Sequence, residues 1–185
     1  STVEMVQAGV LDMAKVSANT LGQFDERYSI FSLPYLFRDQ EHYYNAMANS
    51  EGIQELFEST RDKGYIAIGY YANGARNYYL KEDKAVTDPS VLKGKKIRAM
   101  VSSTSMEMIE LMGGSPVPMA SSETYTSLQQ GIVDGAENTE LALTVDKHEE
   151  IVKSYTYTEH RYSPDIYITS TKVWDSLSKE QQEYL

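Results

Sequence analysis

Cysteine is absent from all 185 residues. That removes disulfides and thiolate metal sites and fits either an oxidising or a reducing compartment. Positive charge is scarce: 17 Lys and Arg stand against 27 Asp and Glu, for a net charge of -10. A nucleic-acid partner is therefore not expected, because phosphate binding needs a basic face. An anionic ligand would have to be drawn by a local cationic site rather than by the global field. No apolar run approaches the length of a membrane span, so no direct membrane insertion is expected. An initiating Met and a signal peptide are both missing, as in a processed or truncated chain. Also missing are a Gly-x-Ser-x-Gly elbow, a phosphate loop, and a dinucleotide fingerprint, which Gly113-Gly114 does not fit.

Tyrosine, by contrast, is plentiful, with fifteen copies. Its apolar ring and polar tip suit clefts and wet interfaces, though many such residues simply pack at strand surfaces. Apolar content of 41% supports a buried core, in one domain or two small ones.

The chain is organised around residues 93–138. Lys96 to Val101 alternates polar and apolar and predicts a strand. Ser103 is a plausible cap for a helix through Met112, stopped by Gly113-Gly114. Ser121 or Ser122 caps a second helix ended by Gly131. Ile132-Val133 reads as a short buried strand closed by Asp134-Gly135. Strand alternating with helix predicts an α/β fold with a parallel sheet, and ligands of such sheets sit at the carboxyl ends of the strands. Arg98 lies at one such end and Asn138 just beyond another. Arg76 follows the turn Asn73-Gly74-Ala75, after the apolar run Tyr65 to Tyr71. A guanidinium presents a planar fork that matches a carboxylate bidentately. Two arginines and an amide at strand ends make a reasonable anion cradle; a surface arginine on a charged edge is the ordinary alternative.

Elsewhere, periodicity predicts a helix over 2–11, an extended segment over 12–17, and a helix capped by Asp39 from Gln40 to about Arg61. A further helix is expected over 139–152, strands over 155–159 and 166–169, and a helix starting at Ser176.

Three histidines leave little room for metal chemistry. His148-Glu149-Glu150-Ile151-Val152 lacks the second histidine of a zinc-protease helix and reads as a solvated face. Glu159 and His160 are adjacent on a strand and point to opposite faces. His42 falls in a first helix turn, ordinarily exposed. Glu123 and Glu137 are the best pair for an acidic glycoside hydrolase, the competing function class.

Longer motifs narrow the choice. They are Asn73-Gly74-x-Arg76, Leu92-Lys93-Gly94-x-Lys96-Ile97-Arg98, Pro116-x-Pro118-Met119, and the run from Glu123 through Gln129-Gln130-Gly131-x-Val133-Asp134-Gly135 to Glu137-Asn138. Leu33-Pro34-Tyr35 and Lys172-x-Trp174-Asp175-x-Leu177 add to them. In these residues the chain resembles the solute-binding proteins of tripartite ATP-independent periplasmic (TRAP) transporters, the DctP-like family.

The resemblance implies a two-lobed periplasmic-binding-protein-like fold with discontinuous lobes and a ligand cleft between them. The lobes would comprise residues 1–73, 74–160 and the return 161–185. It implies an internal fragment truncated at both ends, since family members begin with a strand, helix and second strand and continue past the Trp-Asp motif. It assigns Arg98 to the ligand carboxylate, with Arg76 and Asn138 completing the acid site. Ser17 and Asn19 lie in a segment that faces the ligand in relatives, although Asn19 serves equally well as a turn residue. Ser121 stands where many relatives carry an aromatic residue, which implies a roomier, more polar pocket.

The expected function is capture of a small organic acid, without catalysis, outside the cytoplasm. The setting would be the periplasm, or the outer face of a Gram-positive membrane through an anchor. A sugar acid such as a uronate or aldonate is the first choice, a C4-dicarboxylate or 2-oxo acid the second. The expected partner is a membrane permease, the expected state a monomer. Neither cofactor nor metal is assigned; Glu137 or Asp134 is where a divalent cation would sit, as in some relatives.

Overall fold

The computed structural model describes residues 1–185. In chain order the elements are α1 (Thr2–Ala8), β1 (Met13–Ser17), α2 (Ala18–Leu21), α3 (Gln40–Asn49), α4 (Glu51–Glu58), β2 (Tyr65–Tyr71), β3 (Ala75–Leu80) and β4 (Lys96–Ala99). There follow α5 (Ser103–Leu111), β5 (Ser115–Pro118), α6 (Thr124–Gln129), β6 (Gly135–Asn138), α7 (Glu140–Val145), β7 (Ser154–Tyr162), β8 (Asp165–Ser170), α8 (Thr171–Ser176) and α9 (Lys179–Tyr184).

The strands form two sheets and the molecule has two lobes. One sheet has the order β1-β8-β2, antiparallel throughout; the other has the order β5-β4-β6-β3-β7. The chain leaves the first sheet after Tyr71 and enters the second at Ala75; it leaves the second at Tyr162 and rejoins the first at Asp165. The first lobe's core gathers sixteen buried apolar residues, including Val3, Val6, Leu21, Tyr28, Phe31 and Ile168. The second sheet has a smaller core on each face. Tyr78, Leu80, Ile97 and Ile109 pack on one side; Tyr79, Leu128, Val133 and Ala136 pack on the other.

The second sheet is mixed rather than parallel. β4 runs parallel to β5 and β6, whereas β3 is antiparallel to both β6 and β7. The crossover helix α5 joins the parallel pair β4 and β5, and α6 carries the chain from β5 past β4 to β6. The antiparallel ones, β3 and β7, link to the other sheet.

Several boundaries differ from the sequence expectation, each for a local reason. The 40–61 helix is two helices, because Ser50 takes extended angles (φ -79°, ψ 118°) between them. Asp39 caps the first as expected, its carboxylate accepting from the His42 N–H at 2.7 Å. Residues 132–133 are not a strand. Gly131 leaves α6 in a left-handed turn (φ 73°), and the Ile132 and Val133 N–H groups fold back onto Ser127 O. The strand begins at Gly135 instead. There a Cβ would stand 2.4 Å from Tyr79 O, so only glycine lets β6 and β3 approach. The 139–152 helix stops at Val145, and Lys147 (φ 57°) breaks its continuation. Ser102 rather than Ser103 stands at the cap position of α5. Ser121 and Ser122 begin a 3-10 turn ahead of α6. Ser176 ends α8, and Ser178 caps α9.

Candidate functional site

Strand register gathers the arginines. Arg98 on β4 pairs with Ala136 on the parallel strand β6. Asn138 lies two residues further along β6, on the same face as Ala136. Arg98 and Asn138 therefore share one face at the carboxyl ends of two neighbouring strands. Arg76 does not leave a strand end; it lies inside β3, near its start. Because β3 is antiparallel to β6, with Asn77 opposite Asn138, that start lies beside the β6 carboxyl end. Glu137 faces the other way and meets Arg76 and Arg161.

These residues line a cleft of about 360 Å³. Arg98, Arg76, Asn138 and Ser121 line it from the second lobe; Lys15, Ser17, Ser163 and Asp165 line it from the first. Leu141, Ala142 and Val145 of α7 add an apolar strip. A larger groove, about 700 Å³, runs past Ile30, Phe31, Phe37 and Ile53. It is mainly apolar, and its one arginine, Arg27, is already paired with Asp25, so the arginine cleft is the candidate site.

The two cleft arginines differ in what they hold. Arg76 spends four of its five N–H donors within the chain. Its Nε donates to Glu137 Oε2 at 2.5 Å and its Nη2 to Glu137 Oε1 and O at 3.0 and 2.7 Å. Its Nη1 donates to Asn138 Oδ1 at 2.8 Å. Arg98 is equally buried, at 4% exposure, yet it bonds only the Met119 carbonyl, through Nε and Nη2 at 3.2 and 2.8 Å. Five N–H donors less two leaves three without an acceptor in the chain. It is the one cation lining the cleft with no carboxylate partner: Arg76 has Glu137 and Lys15 has Asp165. Burial, then the charge of Arg76, lowers the Arg98 guanidinium from its ordinary value, while Glu137 opposes the shift.

The Asn138 amide is oriented by its neighbours. Its Oδ1 accepts from Arg76 Nη1 and from the Thr139 N–H at 2.9 Å. With both oxygen lone pairs engaged, the Nδ2 donors face the other way. Tyr155 steadies the strand end, its hydroxyl donating to Asn138 O at 3.2 Å and accepting from Asn77 Nδ2 at 3.0 Å. Burial pushes the Tyr155 hydroxyl up to about 12.

Behind the arginines, Glu137 is fully buried among Arg76, Arg161 and His160, whose Nε2 lies 3.4 Å away. Burial alone would raise its carboxyl. The charges of Arg76 and Arg161, with the close approach of His160 and the hydrogen bonds from Arg76, outweigh it and hold the group well below the usual carboxylate range. Arg161 is brought down to about 10 by burial against the pull of Glu137. Its Nη1 bonds Ser105 Oγ at 2.7 Å and Ser32 O at 3.4 Å. Burial also lowers His160, with Glu137 opposing.

Of the six residues named from sequence, Arg98, Arg76, Asn138, Ser121 and Ser17 line the cleft. Asn19 sits behind them. Its Oδ1 accepts from Ser163 Oγ at 2.7 Å and its Nδ2 donates to Ser105 Oγ at 3.4 Å, across the lobes. Ser17 Oγ accepts from the Asn19 N–H at 3.3 Å and caps α2. Sequence reasoning did not single out Lys15, Asp165, Ser163 or Arg161, and it considered His160 only as half of a ligand pair with Glu159. An Asp immediately before the apolar stretch of β8 was the one available signal. His148 is not on a solvated face: it is fully buried, its Nδ1 2.8 Å from Tyr79 Oη. Glu123 is exposed and spends its carboxylate on the Ala120 N–H at 2.9 Å. Asp134 accepts from the Lys96 N–H at 2.8 Å.

The sequence model of the family described as "Bacterial extracellular solute-binding protein, family 7" matches residues 1–185. The chain belongs to the DctP family. Among curated DctP-like relatives, it is 46% identical over 182 residues to the uncharacterized protein YiiZ of Salmonella typhimurium, covering 97% of this chain and 55% of that protein. The chain thus spans about half the length of the curated relatives it matches. A TRAP periplasmic solute-binding protein from Anaerococcus prevotii, with D-glucuronate bound, superposes with a TM-score of 0.93 at 38% identity. That match covers 98% of this chain and 59% of the other. A Sulfitobacter homologue with β-D-galacturonate bound gives 0.92 at 35% identity, over 98% and 60%.

Proposed function

We propose that this DctP-family chain is part of an extracytoplasmic solute-binding protein that captures a sugar acid and performs no chemistry on it. The observation that carries the reading is Arg98, a buried cation in a cleft wall with no carboxylate of its own. Stranding such a charge is unfavourable, and an incoming carboxylate relieves it bidentately. Asn138 Nδ2 supplies a further donor beside it. Uronates bound to the solved relatives support the same class of ligand.

In this reading one lobe comprises residues 1–73 with 161–185 and the other residues 74–160, and they close over the acid by hinge motion about the crossings. The loaded protein, a monomer in the periplasm, then docks on a membrane permease. The hydrolase alternative loses support from both candidate carboxylates. A general acid needs a raised pKa, and Glu137 is held low between two arginines while Glu123 caps a turn.

Isothermal titration of the intact protein with D-glucuronate, D-galacturonate, aldonates, C4-dicarboxylates and 2-oxo acids tests the reading. A sugar acid is expected to bind most tightly, and Arg98→Ala to weaken it by about 2–5 kcal/mol. Near-normal affinity in Arg98→Ala would sink the clamp.

A further inference from the structure

The first-lobe wall of the cleft carries its own charged pair, Lys15 and Asp165, joined at 2.6 Å between Nζ and Oδ2. β1 and β8 hold them: Lys15 stands opposite Tyr167, and Asp165 opposite Ser17. Lys15 is also placed over the Tyr71 ring, 5.0 Å from its centroid, so its stem is fixed from a second side. Both side chains remain partly open to solvent, at 44% and 20% exposure. The pair does not link distant parts of the core; it edges the cleft.

Its unused valences define what it can read. Asp165 Oδ1 has no donor in the chain, and of the three Lys15 N–H donors one is engaged on Asp165. Ser17 Oγ, adjacent across the strand pair, accepts from Asn19 N–H and keeps its own O–H to give. Acceptor, cation and hydroxyl together match groups that both donate and accept, which is to say hydroxyls. They do not match a second carboxylate. Such a group would meet Asp165 itself, and the only cation within reach is already neutralised by it.

Resting on the proposed sugar-acid reading, we infer that the Lys15–Asp165 pair is the specificity element of the cleft: it reads the hydroxyls of the ligand and limits it to one carboxylate. Arg98 takes the single acid group, and the opposite wall takes the polyol. Among the lining cations Arg98 alone lacks a carboxylate partner, while Arg76 and Lys15 are matched; the lining also carries the carboxylate of Asp146, just past α7.

The test compares two open-chain six-carbon acids that differ only at one end, D-galactonate and its dicarboxylate counterpart galactarate, by calorimetric titration of the intact protein. The unmodified protein is expected to prefer the monoacid by at least tenfold. Asp165→Asn keeps the shape, removes the repelling charge and frees the ammonium. It is expected to weaken the monoacid about tenfold or more, the scale of losing hydrogen bonds to a charged group, and to close or reverse the preference. Lys15→Met is expected to weaken the monoacid without any gain for the diacid. An unchanged ratio of the two acids in Asp165→Asn, with its ligand-free melting temperature intact, overturns the inference and leaves the Arg98 clamp standing. No binding of any sugar acid by the unmodified protein overturns the clamp reading and this inference with it.

Discussion

The two walls of the cleft both carry ion pairs, yet the pairs have opposite characters. On the second-lobe wall, Arg76 and Glu137 are out of solvent, multiply bonded, and locked to Arg161 and Asn138. On the first-lobe wall, Lys15 and Asp165 meet by one bond in partial contact with water. The first kind of pair is costly to break, because the surviving charge has no solvent to turn to. The second contributes little to folding, since water and salt screen it. Under the proposed function, this division would keep the acid clamp rigid and leave specificity free to vary.

The sharpest way to break the contrast is Glu137→Gln, which leaves two buried guanidinium groups without their shared carboxylate. Urea unfolding is expected to show a loss of about 3–5 kcal/mol. A loss under about 1 kcal/mol would place the two walls in the same class. Next is Gly135→Ala, which forces a methyl group against Tyr79 O and the Leu80 side chain. It is expected to cost about 1–3 kcal/mol as overpacking, and near-neutral stability would show that β6 can shift freely.

Acid provides a third probe. The folded pKa of His160 is lowered by burial, so the unfolded chain binds the extra proton below the ordinary histidine value of 6.5. Stability then falls as pH drops through 6.5, by at most about 1.4 kcal/mol per pH unit for this group. His148, lowered likewise by burial, adds to the slope. Glu137 acts lower down: its depressed pKa gives stability that is present above the ordinary carboxylate range and lost as pH falls below it. Unfolding free energies at pH 5, 6 and 7 are expected to flatten in His160→Gln, and an unchanged slope would count against a neutral folded histidine. The smallest effect is expected for Lys15→Met without ligand. Its pair is partly exposed, so stability should change by less than about 1 kcal/mol. A larger change would mean that the first-lobe wall is structural after all.

Much of the cleft lining proposed as the acid clamp was legible before the fold was known. Arg98 and Asn138 follow β-patterned stretches within motifs that resemble the family, and parallel strand ends are where ligands gather. What surrounds them was hidden by register. Glu137 meets Arg76 and Arg161 only because β3 runs antiparallel to both β6 and β7, and no local pattern states which strands adjoin. Ile132-Val133 misled because their apolar side chains look like a strand while their N–H groups close a helix. Ser50 was hidden for the converse reason: the apolar stripe of Met47, Ile53 and Leu56 runs through it, and one extended residue breaks the helix. His148 read as polar surface because the tyrosine it bonds lies 69 residues away.

Arg161 reaches further than any other side chain at this centre. One guanidinium touches Ser32 in the first lobe, Ser105 at the start of α5, and Glu137 on β6. The cores of the two lobes are separate clusters, but the lobes share this buried group between them. The consequence is cooperativity. Neither lobe can lose its structure without exposing a charge that the other helped to bury, so the two halves should unfold in a single calorimetric transition rather than two.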